Sequence, residues 1–355
     1  MRRPRLATAG ISLFSVVAAC CASLGLAPAS PADAAGSTDV RFGTFNIVTV
    51  SADQASGERR PWRDRRSAVI GQILGQRLDV VGVQEANQSS IYGSRLVDDR
   101  RNQYLDLRNG LNRAGGAYQV TSVYPYNCYK AWSSRNCHYR NRAASGDNRI
   151  LYNTRTMLLR AKGAYKYPHQ VQDSTARYLA WAVFEVRATG RQVLFTTTHL
   201  DPYSKSVRVA QWRDMIAKVN RIRAGRPVVL TGDFNTSKYS PWAASMLPAM
   251  ADNGYPDAFG QRYRQNPTAL RPRATKGIWI NSFNKFRRDV RTYSYWDDRF
   301  LSQPRTGNGI DWIFASTRLT VQDAEVVADL DQSTGMVRGT IPSDHHLLRA
   351  TISLP

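Results

Sequence analysis

The sequence places carboxylate, carboxamide and imidazole side chains at the ends of its apolar runs. In "LTGDFNTS" (residues 230–237), Asp233 and Asn235 directly follow such a run. Similar groups stand at five further run ends: Asn46 after "RFGTF", Glu85 after "DVVGVQ", His199 with Asp201 after "VLFTTT", Asp311 before "WIF", and Asp344 with His345 before "HLLRATI". Carboxylate and amide oxygens suit a hard cation such as Mg²⁺, and imidazoles can hydrogen-bond a phosphoryl oxygen or protonate a leaving group. The set predicts metal-assisted hydrolysis of a phosphate ester by water, without a covalent intermediate.

Each of these groups has a simpler interpretation when it is taken alone, because a polar residue after a strand is more often a turn residue than a catalyst. Asp201, for example, is equally consistent with a cap for the turn that follows it. Six clusters of the same chemistry are harder to explain as six turns. Strand ends at one edge of a sheet converge on one face, so we expect these side chains to share a cleft.

Strands and helices alternate along the chain and must position these groups. We predict two helices with one apolar face each, over residues 62–78 and 205–222. In the second helix, apolar residues recur at i, i+3, i+4 and i+7 from Trp212 to Val219. No element is assigned within residues 90–145, which are polar, aromatic and rich in arginine. The predicted strands cover residues 40–48, 79–86, 149–153, 178–186, 192–200, 227–233, 309–316, 320–328 and 346–354. Many strands with few helices and no linker predict one layered α/β or α+β domain with two sheets.

Six short motifs give the sequence a resemblance to a known family. They occur in the order "GTFNI", "VVGVQEA", "TTTHLD", "TGDFNTS", "GIDWIFAS" and "SDHHLLRATI". Each is weak alone, but the ordered set resembles the endonuclease/exonuclease/phosphatase superfamily, which includes pancreatic-type deoxyribonucleases, abasic-site endonucleases, sphingomyelinases and inositol-polyphosphate phosphatases. The similarity extends from about residue 40 to the C-terminus. It implies a four-layer sandwich, in which helices flank two central, mostly antiparallel sheets and the site lies at one edge.

The resemblance also implies which residues hold a metal ion. Glu85 matches the principal metal ligand of the family, with Asn46 beside it, and Asp344 completes the metal or phosphate shell. The expected ion is Mg²⁺, with Mn²⁺ or Ca²⁺ as alternatives.

The catalytic roles that the resemblance implies fall on five residues. Asp233 positions or deprotonates the attacking water, and Asn235 hydrogen-bonds a phosphate oxygen. His345 contacts the phosphoryl group while Asp311 orients its imidazole. His199 matches a histidine that some nucleases and sphingomyelinases use as a phosphate ligand or acid, and abasic-site endonucleases differ there.

The N-terminus predicts export. Arg2, Arg3 and Arg5 precede the apolar stretch 6–26, and "APASPADAAG" then offers small residues for cleavage. We therefore expect a signal peptide over residues 1–34 and a single catalytic domain over residues 35–355, secreted from the cell. The alternatives are a lipid anchor through Cys20, an uncleaved membrane anchor and twin-arginine export.

Two cysteines remain after the predicted cleavage, Cys128 and Cys137. An exported chain meets an oxidising environment, so an even pair at short spacing predicts a disulfide that closes a small loop. A zinc site with the neighbouring His138 is disfavoured, because no second Cys/His cluster completes four ligands.

The charge balance predicts a polyanionic partner. The formal net charge is +22, which favours nucleic acid, an anionic lipid or a wall polymer. Residues 261–305 hold eleven Lys and Arg and eight aromatic residues, a mixture that suits a phosphate backbone with stackable bases. Arg177, Arg287 and Arg288 are the predicted substrate-binding residues.

Three functions compete on this basis. The leading one is a secreted nuclease that acts as a monomer on DNA or RNA, without an obligate protein partner. A sphingomyelinase-type phospholipase C acting on anionic or choline lipid is the alternative, with "GIWINSF" (residues 277–283) as the candidate membrane loop. A non-catalytic polyanion-binding protein is disfavoured, because it would have no use for the full set of polar strand ends.

Overall fold

Twelve strands and four helices occur in the part of the chain that this computed structural model describes, namely residues 38–50, 57–88, 102–172, 174–260, 272–290 and 307–355. The strands are β1 Thr38–Asn46, β2 Val80–Gln84, β3 Tyr118–Val120, β4 Arg149–Asn153, β5 Met157–Lys166, β6 Tyr178–Val186, β7 Gln192–His199, β8 Val228–Asp233, β9 Ala274–Lys276, β10 Asp311–Ala315, β11 Thr320–Val327 and β12 Leu347–Leu354. The helices are α1 Trp62–Gly75, α2 Gln103–Arg113, α3 Lys205–Ile222 and α4 Pro241–Asp252.

Some predictions fall on parts of the chain outside this description. Residues Ser37–Pro355 form one compact unit. The predicted signal peptide with Cys20, and much of the basic stretch 261–305, lie outside the described residues. None of the described helices is long and apolar enough to span a membrane.

The strands form two sheets. The first has seven strands in the order β3-β4-β2-β1-β12-β11-β9, and the second has five in the order β10-β8-β7-β6-β5. The parallel pairs among the described strands are β1–β2, β7–β8 and β9–β11, and the other neighbours are antiparallel. The predicted pair of mostly antiparallel sheets is therefore confirmed.

Three apolar layers hold the sheets and helices together. Between the sheets, the ring of Phe42 stacks on that of Phe195 at 5.7 Å between centroids. On the outer face of the seven-stranded sheet, Trp62 and Val69 of α1 belong to a second core with α2. Met215 of α3 belongs to a third core, with α4 and the outer face of the five-stranded sheet. The result is the four-layer sandwich that the sequence led us to expect.

Local sequence explains several of these elements directly. Every residue of β2 is buried, because this internal strand is covered on both faces, and its run is therefore continuously apolar. Helix α3 has the predicted bounds and buries the predicted apolar face. It begins after Ser204, whose hydroxyl accepts a hydrogen bond from the backbone N–H of Val207 at 3.3 Å.

Helix α2 lies in the stretch to which the sequence assigned no element. Its buried face carries Tyr104, Leu107 and Leu111 at helical spacing, together with the polar Gln103 and Asp106. The carboxylate of Asp106 is paired, since it accepts a 2.8 Å hydrogen bond from Trp62 Nε1 of the neighbouring helix. A tertiary contact therefore satisfies the buried carboxylate of this helix.

The predicted disulfide between Cys128 and Cys137 is present. It closes a short loop between α2 and β4. Replacing both cysteines by serine is expected to lower the free energy of unfolding by about 2–3 kcal/mol, because the unfolded chain loses a loop constraint. Urea unfolding would measure the change, and reducing the wild-type protein should reproduce it. Equal stability of the variant and the oxidised wild type would contradict the prediction.

Candidate active site

The polar strand ends meet at one edge of the sandwich. In the five-stranded sheet Asp233 pairs in register with Asp311 on one side and with His199 on the other. In the seven-stranded sheet β1 ends at Asn46, beside the end of β2. A cavity of about 890 Å³ lies at this edge, and the predicted site residues that line it are Glu85, Arg177, His199, Asp233, Asn235, Asp344 and His345.

Asn46 joins the two sheets at this point. Its side-chain nitrogen Nδ2 donates to Glu85 Oε1 at 3.0 Å and to Asp233 Oδ2 at 3.1 Å. Its oxygen Oδ1 accepts from the backbone N–H of Val48 at 3.1 Å, which fixes the orientation of the amide. In this orientation Asn46 holds the two carboxylates at a set separation, and its assignment as a metal ligand stays a prediction.

The turn after β8 brings Asp233 and Asn235 into the cavity together. Asn235 has a left-handed backbone, with φ of 47°, and its N–H donates to Asp233 Oδ1 at 2.8 Å. Its side-chain nitrogen donates to the carbonyl of Leu200 at 3.0 Å. In an extended strand, residues 233 and 235 would lie on the same side because side chains alternate. That is not the reason here, because the chain leaves the strand and turns at Asn235.

The other residues of this turn have structural tasks. Phe234 is fully buried, with its ring 5.3 Å from that of Phe314, and anchors the turn in the core. Gly232 has φ of 148°, and a Cβ atom there would clash with the backbone of Thr198 on the adjacent strand. Only glycine allows β7 and β8 to approach so closely.

His345 and Asp311 form a buried pair. His345 Nδ1 lies 2.8 Å from Asp311 Oδ2, which also accepts a 2.7 Å hydrogen bond from the Ser282 hydroxyl. Burial on its own would lower the pKa of His345, but the charges of Asp311, Asp344 and Asp233 and the hydrogen bond from Asp311 together raise it to about 10. The ring is therefore an imidazolium at neutral pH, with Nε2 3.8 Å from the carboxylates of Asp233 and Asp344.

The carboxyl groups around His345 hold their protons more tightly than usual. Burial raises the pKa of Asp233 to about 7, with the charge of Asp311 acting in the same direction and that of His345 opposing it. Burial likewise raises the pKa of Asp344 to about 6, against the charge of His345. A carboxyl group that titrates near pH 7 is suited to general base catalysis, because it is more basic than an ordinary carboxylate and about half of it is ionised there.

His199 differs from His345 although both are buried. Burial, followed by the positive charges of Arg177 and His345, lowers the pKa of His199 well below its ordinary value. Its Nε2 lies 3.6 Å from Asp233 Oδ2, and among the described residues its buried Nδ1 has no hydrogen-bond partner. His199 is therefore a neutral imidazole, which can donate one hydrogen bond.

The three predicted substrate-binding arginines have different surroundings. Arg177 lines the cavity, and its buried Nε and one terminal nitrogen have no hydrogen-bond partner among the described residues. Arg287 is exposed and does not line the cavity. The role predicted for Arg288 stays a prediction; its guanidinium donates twice to the carboxylate of Glu58 at 2.7 Å and also to the carbonyls of Val337 and Gly339. A guanidinium occupied in this way has few donors left for a phosphate.

Two further charged residues line the cavity, and neither was selected from the sequence. Lys285 is exposed at its edge. Asp147 lies near Glu85 and Arg177, and burial raises its pKa. Asp147 lies two residues before β4, so it is a further polar residue near a strand end, and the same rule would have found it.

The residues present fit a hard divalent cation. Glu85 is half-buried and lines the cavity, and among the described residues its two oxygens accept hydrogen bonds from the side-chain amide of Asn46 and the backbone N–H of Thr49. Asp344 adds a second carboxylate to the same cavity. Oxygen donors of this kind suit Mg²⁺, Mn²⁺ or Ca²⁺.

A second carboxylate group in the site could also hold a metal ion. Asp233, Asp311 and His345 bring three ligand atoms within 4.8 Å of one another. Asp311 Oδ2 already accepts two hydrogen bonds, although its buried Oδ1 has no partner among the described residues. A protonated His345, however, has no lone pair for a metal. The Glu85 side of the cavity is therefore the better cation site.

Comparisons with known proteins agree with this geometry. Residues 40–345 match the model of the Endonuclease/Exonuclease/phosphatase family. No curated protein sequence matches the chain. The fold is similar to an endonuclease/exonuclease/phosphatase family protein from Bacteroides thetaiotaomicron, with 17% identity over 90% of this chain and 99% of that one and a TM-score of 0.63.

Two further solved structures carry more specific names. A mannosyl-6-phosphatase from Bacteroides thetaiotaomicron has 17% identity over 89% of this chain and 100% of that one, with a TM-score of 0.60. D. rerio TDP2, complexed with a single strand DNA product, has 16% identity over 89% of this chain and 100% of that one, with a TM-score of 0.53. At such identities the likeness establishes the fold alone, whereas the family model covers most of the sequence. The chain is thus a member of the endonuclease/exonuclease/phosphatase family, whose members are hydrolases that act on phosphoester bonds.

Proposed function

We propose that this chain is a secreted, divalent-metal-dependent nuclease that hydrolyses the phosphodiester bonds of DNA or RNA with water as the nucleophile. The observation that carries the proposal is the placement of Asp233. Its carboxylate lies between the neutral His199 and the protonated His345, in a cavity that also contains the guanidinium of Arg177. A base, an acid and a phosphate-binding cation therefore face one space.

Asp233 and Asn235 are assigned to the attacking water and the phosphate. With a pKa of about 7, Asp233 can accept a proton from water at neutral pH. Asn46 and the backbone N–H of Asn235 hold the carboxylate in position. Asn235 uses one amide hydrogen on Leu200, so its second remains for a phosphate oxygen.

The two histidines are assigned to the phosphoryl group and the leaving oxygen. His345 directs a positively charged N–H from Nε2 into the cavity, and Asp311 holds the ring by its other nitrogen. This arrangement stabilises charge that develops on the phosphoryl oxygens. The neutral His199 supplies a further hydrogen bond without adding charge.

Glu85 and Asp344 are assigned to the metal ion. When bound, a divalent cation neutralises phosphate charge and stabilises the leaving oxygen. Asn46 fixes the Glu85 carboxylate by its amide nitrogen and so acts on the ligand rather than on the ion.

Nucleic acid is the proposed substrate because of charge. The net charge of +22 attracts a polyanion, and Arg177 and Lys285 carry positive charge to the cavity itself. The D. rerio TDP2 structure contains single-strand DNA product, so a related fold accepts a nucleic acid strand.

The lipid alternative has less support. A phospholipase would need apolar side chains that project into a bilayer. Residues 277–283 do not project, since Ile280 is buried and Ile278 and Trp279 pack against the core between the sheets. Secretion is supported by the Cys128–Cys137 disulfide, because such bonds persist in oxidising compartments.

One experiment separates these substrates. The purified protein with Mg²⁺ is incubated in parallel with plasmid DNA, total RNA and sphingomyelin vesicles, with the Asp233→Asn variant as control. We expect cleavage of at least one nucleic acid and none by the variant. Release of phosphocholine from vesicles without nucleic acid cleavage would overturn the proposal in favour of the phospholipase.

Replacing Glu85 by Gln is expected to weaken the response of activity to Mg²⁺, because one charged ligand becomes neutral. Excess Mg²⁺ should restore part of the rate, since the remaining carboxylates still offer oxygens. Initial rates on a small phosphodiester over a range of Mg²⁺ concentrations would measure this. An unchanged Mg²⁺ dependence would place the cation elsewhere.

The pH dependence of the rate should be bell-shaped. The base form of Asp233 appears as the pH rises through about 7, and the acid form of His345 disappears as the pH rises through about 10. The rate should therefore increase near pH 7 and fall near pH 10. The Asp311→Asn variant lacks a charge that raises the pKa of His345, so its loss of rate at high pH should begin at a lower pH than in the wild type. If the loss began at the same pH in both proteins, the role of His345 as the acid would be contradicted.

A further inference from the structure

The disulfide-closed segment, residues 124–142, has an unusual composition, and we refer to it as the disulfide loop. It contains five aromatic residues and the cations Lys130, Arg135, Arg140 and Arg142. The sequence has no Asp or Glu between Asp106 and Asp147. The disulfide loop also contains no Val, Leu, Ile or Met. The catalytic assignment uses none of these residues.

The inner part of the disulfide loop is a small ordered core. The ring of Trp132 meets that of Tyr124 edge-on at 6.0 Å, and the guanidinium of Arg142 lies 5.0 Å from the centre of the Tyr124 ring. Asn127 Oδ1 accepts the backbone N–H groups of Arg142 and Ala144. With the disulfide, these contacts hold the backbone of the disulfide loop in one shape.

The outer part presents rings and cations to solvent. Tyr129 is 67% exposed and Tyr139 is 78% exposed, far more than aromatic side chains usually are. Arg140 lies 5.6 Å from the centre of the Tyr129 ring, and Arg135 is exposed nearby in sequence. Backbone hydrogen bonds from Tyr129 to His138 and from Arg140 to Asn127 pair the two sides of the disulfide loop, so both tyrosines project from a fixed ribbon.

The base of the disulfide loop lies beside the catalytic cavity. Four residues separate the end of the disulfide loop from Asp147, which lines the cavity. The side-chain amide of Gln88, another lining residue, lies against the carbonyls of Pro125 at 3.2 Å and Gly146 at 3.3 Å. Tyr139 also lies near Tyr178, which follows Arg177 in the sequence. Burial raises the pKa of Tyr178, and the nearby Tyr139 adds a smaller effect in the same direction.

We propose that the disulfide loop binds a single-stranded stretch of the substrate beside the cavity, with bases stacked on Tyr129 and Tyr139 and phosphates bound by Arg135 and Arg140. The proposal rests on the proposed nuclease function and extends it to a second contact region. Exposed rings interleaved with cations are the features that bind single strands without sequence preference. The lack of Val, Leu, Ile and Met favours nucleic acid over a bilayer as the partner.

Two double variants and one control test this proposal. Tyr129→Ala with Tyr139→Ala removes the rings, and Arg135→Gln with Arg140→Gln removes two charges. Arg155→Gln with Arg318→Gln removes two charges at the far ends of β4 and β10, where each arginine donates one hydrogen bond to a carbonyl. Circular dichroism checks the folding of each, and all the substituted side chains are exposed.

Binding of a fluorescent 20-nucleotide single strand is measured in EDTA at several salt concentrations, and turnover of a small phosphodiester is measured with Mg²⁺. We expect the tyrosine variant to bind at least roughly tenfold more weakly. The Arg135/Arg140 variant should lose about 1.4 from the slope of log affinity against log salt, at about 0.7 per phosphate contact. The control should bind nearly as wild type, and turnover of the small substrate should be unchanged in all three.

The outcomes separate this proposal from the proposed function. If the wild type cleaves nucleic acid but both loop variants bind as tightly as wild type, the disulfide loop proposal is overturned while the nuclease stands. An equal loss in the control would overturn it too, since only overall charge would matter. If the wild type binds phosphatidylglycerol vesicles through these tyrosines and no oligonucleotide, both proposals fail.

Discussion

Asp233→Asn is expected to lower the turnover of a small phosphodiester by a factor on the order of 10²–10⁴, the usual scale for removing a positioned acid or base. The substitution keeps the size of the side chain and one oxygen acceptor, so the hydrogen bond from the Asn235 backbone to Oδ1 survives. What disappears is the only charge between His199 and His345 that can accept a proton from water at neutral pH. Initial rates and circular dichroism on the same preparation would measure both consequences.

Asp201→Asn is the matched control for this variant. Asp201 is another buried carboxylate that follows a strand at the same edge, but its Oδ1 caps a turn by accepting the N–H groups of Tyr203 at 2.9 Å and Ser204 at 2.6 Å. Asparagine can keep these bonds, so we expect turnover close to wild type. If folded Asp233→Asn also retained near-normal rates at every Mg²⁺ concentration, the segment 230–237 would be a structural turn and the assigned site would be wrong.

His345→Ala is expected to cause a loss of similar size, which extra Mg²⁺ does not restore. The charges of Asp311, Asp344 and Asp233 keep the ring protonated, and added Mg²⁺ supplies no N–H donor at its position. The failure of metal rescue should distinguish this variant from Glu85→Gln, in which only a cation ligand is weakened. Rates measured over the same range of Mg²⁺ concentrations allow the two variants to be compared directly.

His169→Ala provides the control for His345. His169 also pairs with a carboxylate, with Nδ1 2.8 Å from Asp214 Oδ2, but it is exposed and does not line the cavity. Its loss should leave turnover nearly unchanged, because an exposed pair contributes little even to stability. Rescue of His345→Ala by Mg²⁺ would indicate that His345 serves the metal site rather than the phosphoryl group.

Local pattern was sufficient for much of the fold. Helix α3 and strand β6 have the predicted bounds, since a periodic apolar face and a run between turn residues are both written in short stretches of chain. The order of strands and helices indicated two sheets with helices outside. Helix α2 was missed although Tyr104, Leu107 and Leu111 have helical spacing, whereas the partner of its buried Asp106, Trp62, lies more than forty residues earlier and could not be read from the local sequence.

The sequence by itself determined the chemistry available to this protein: which carboxylate, amide and imidazole groups end its strands, its excess of positive charge, and the cysteine pair of the disulfide loop. Only the tertiary structure decided how these groups are used. It directed the nitrogen of Asn46 to two carboxylates and tied Arg288 to Glu58, 230 positions away. It also made His345 a cation and His199 neutral. The reason is that amide orientation and proton affinity depend on the charges and on the solvent exclusion within a few ångströms, and these are supplied by distant parts of the chain.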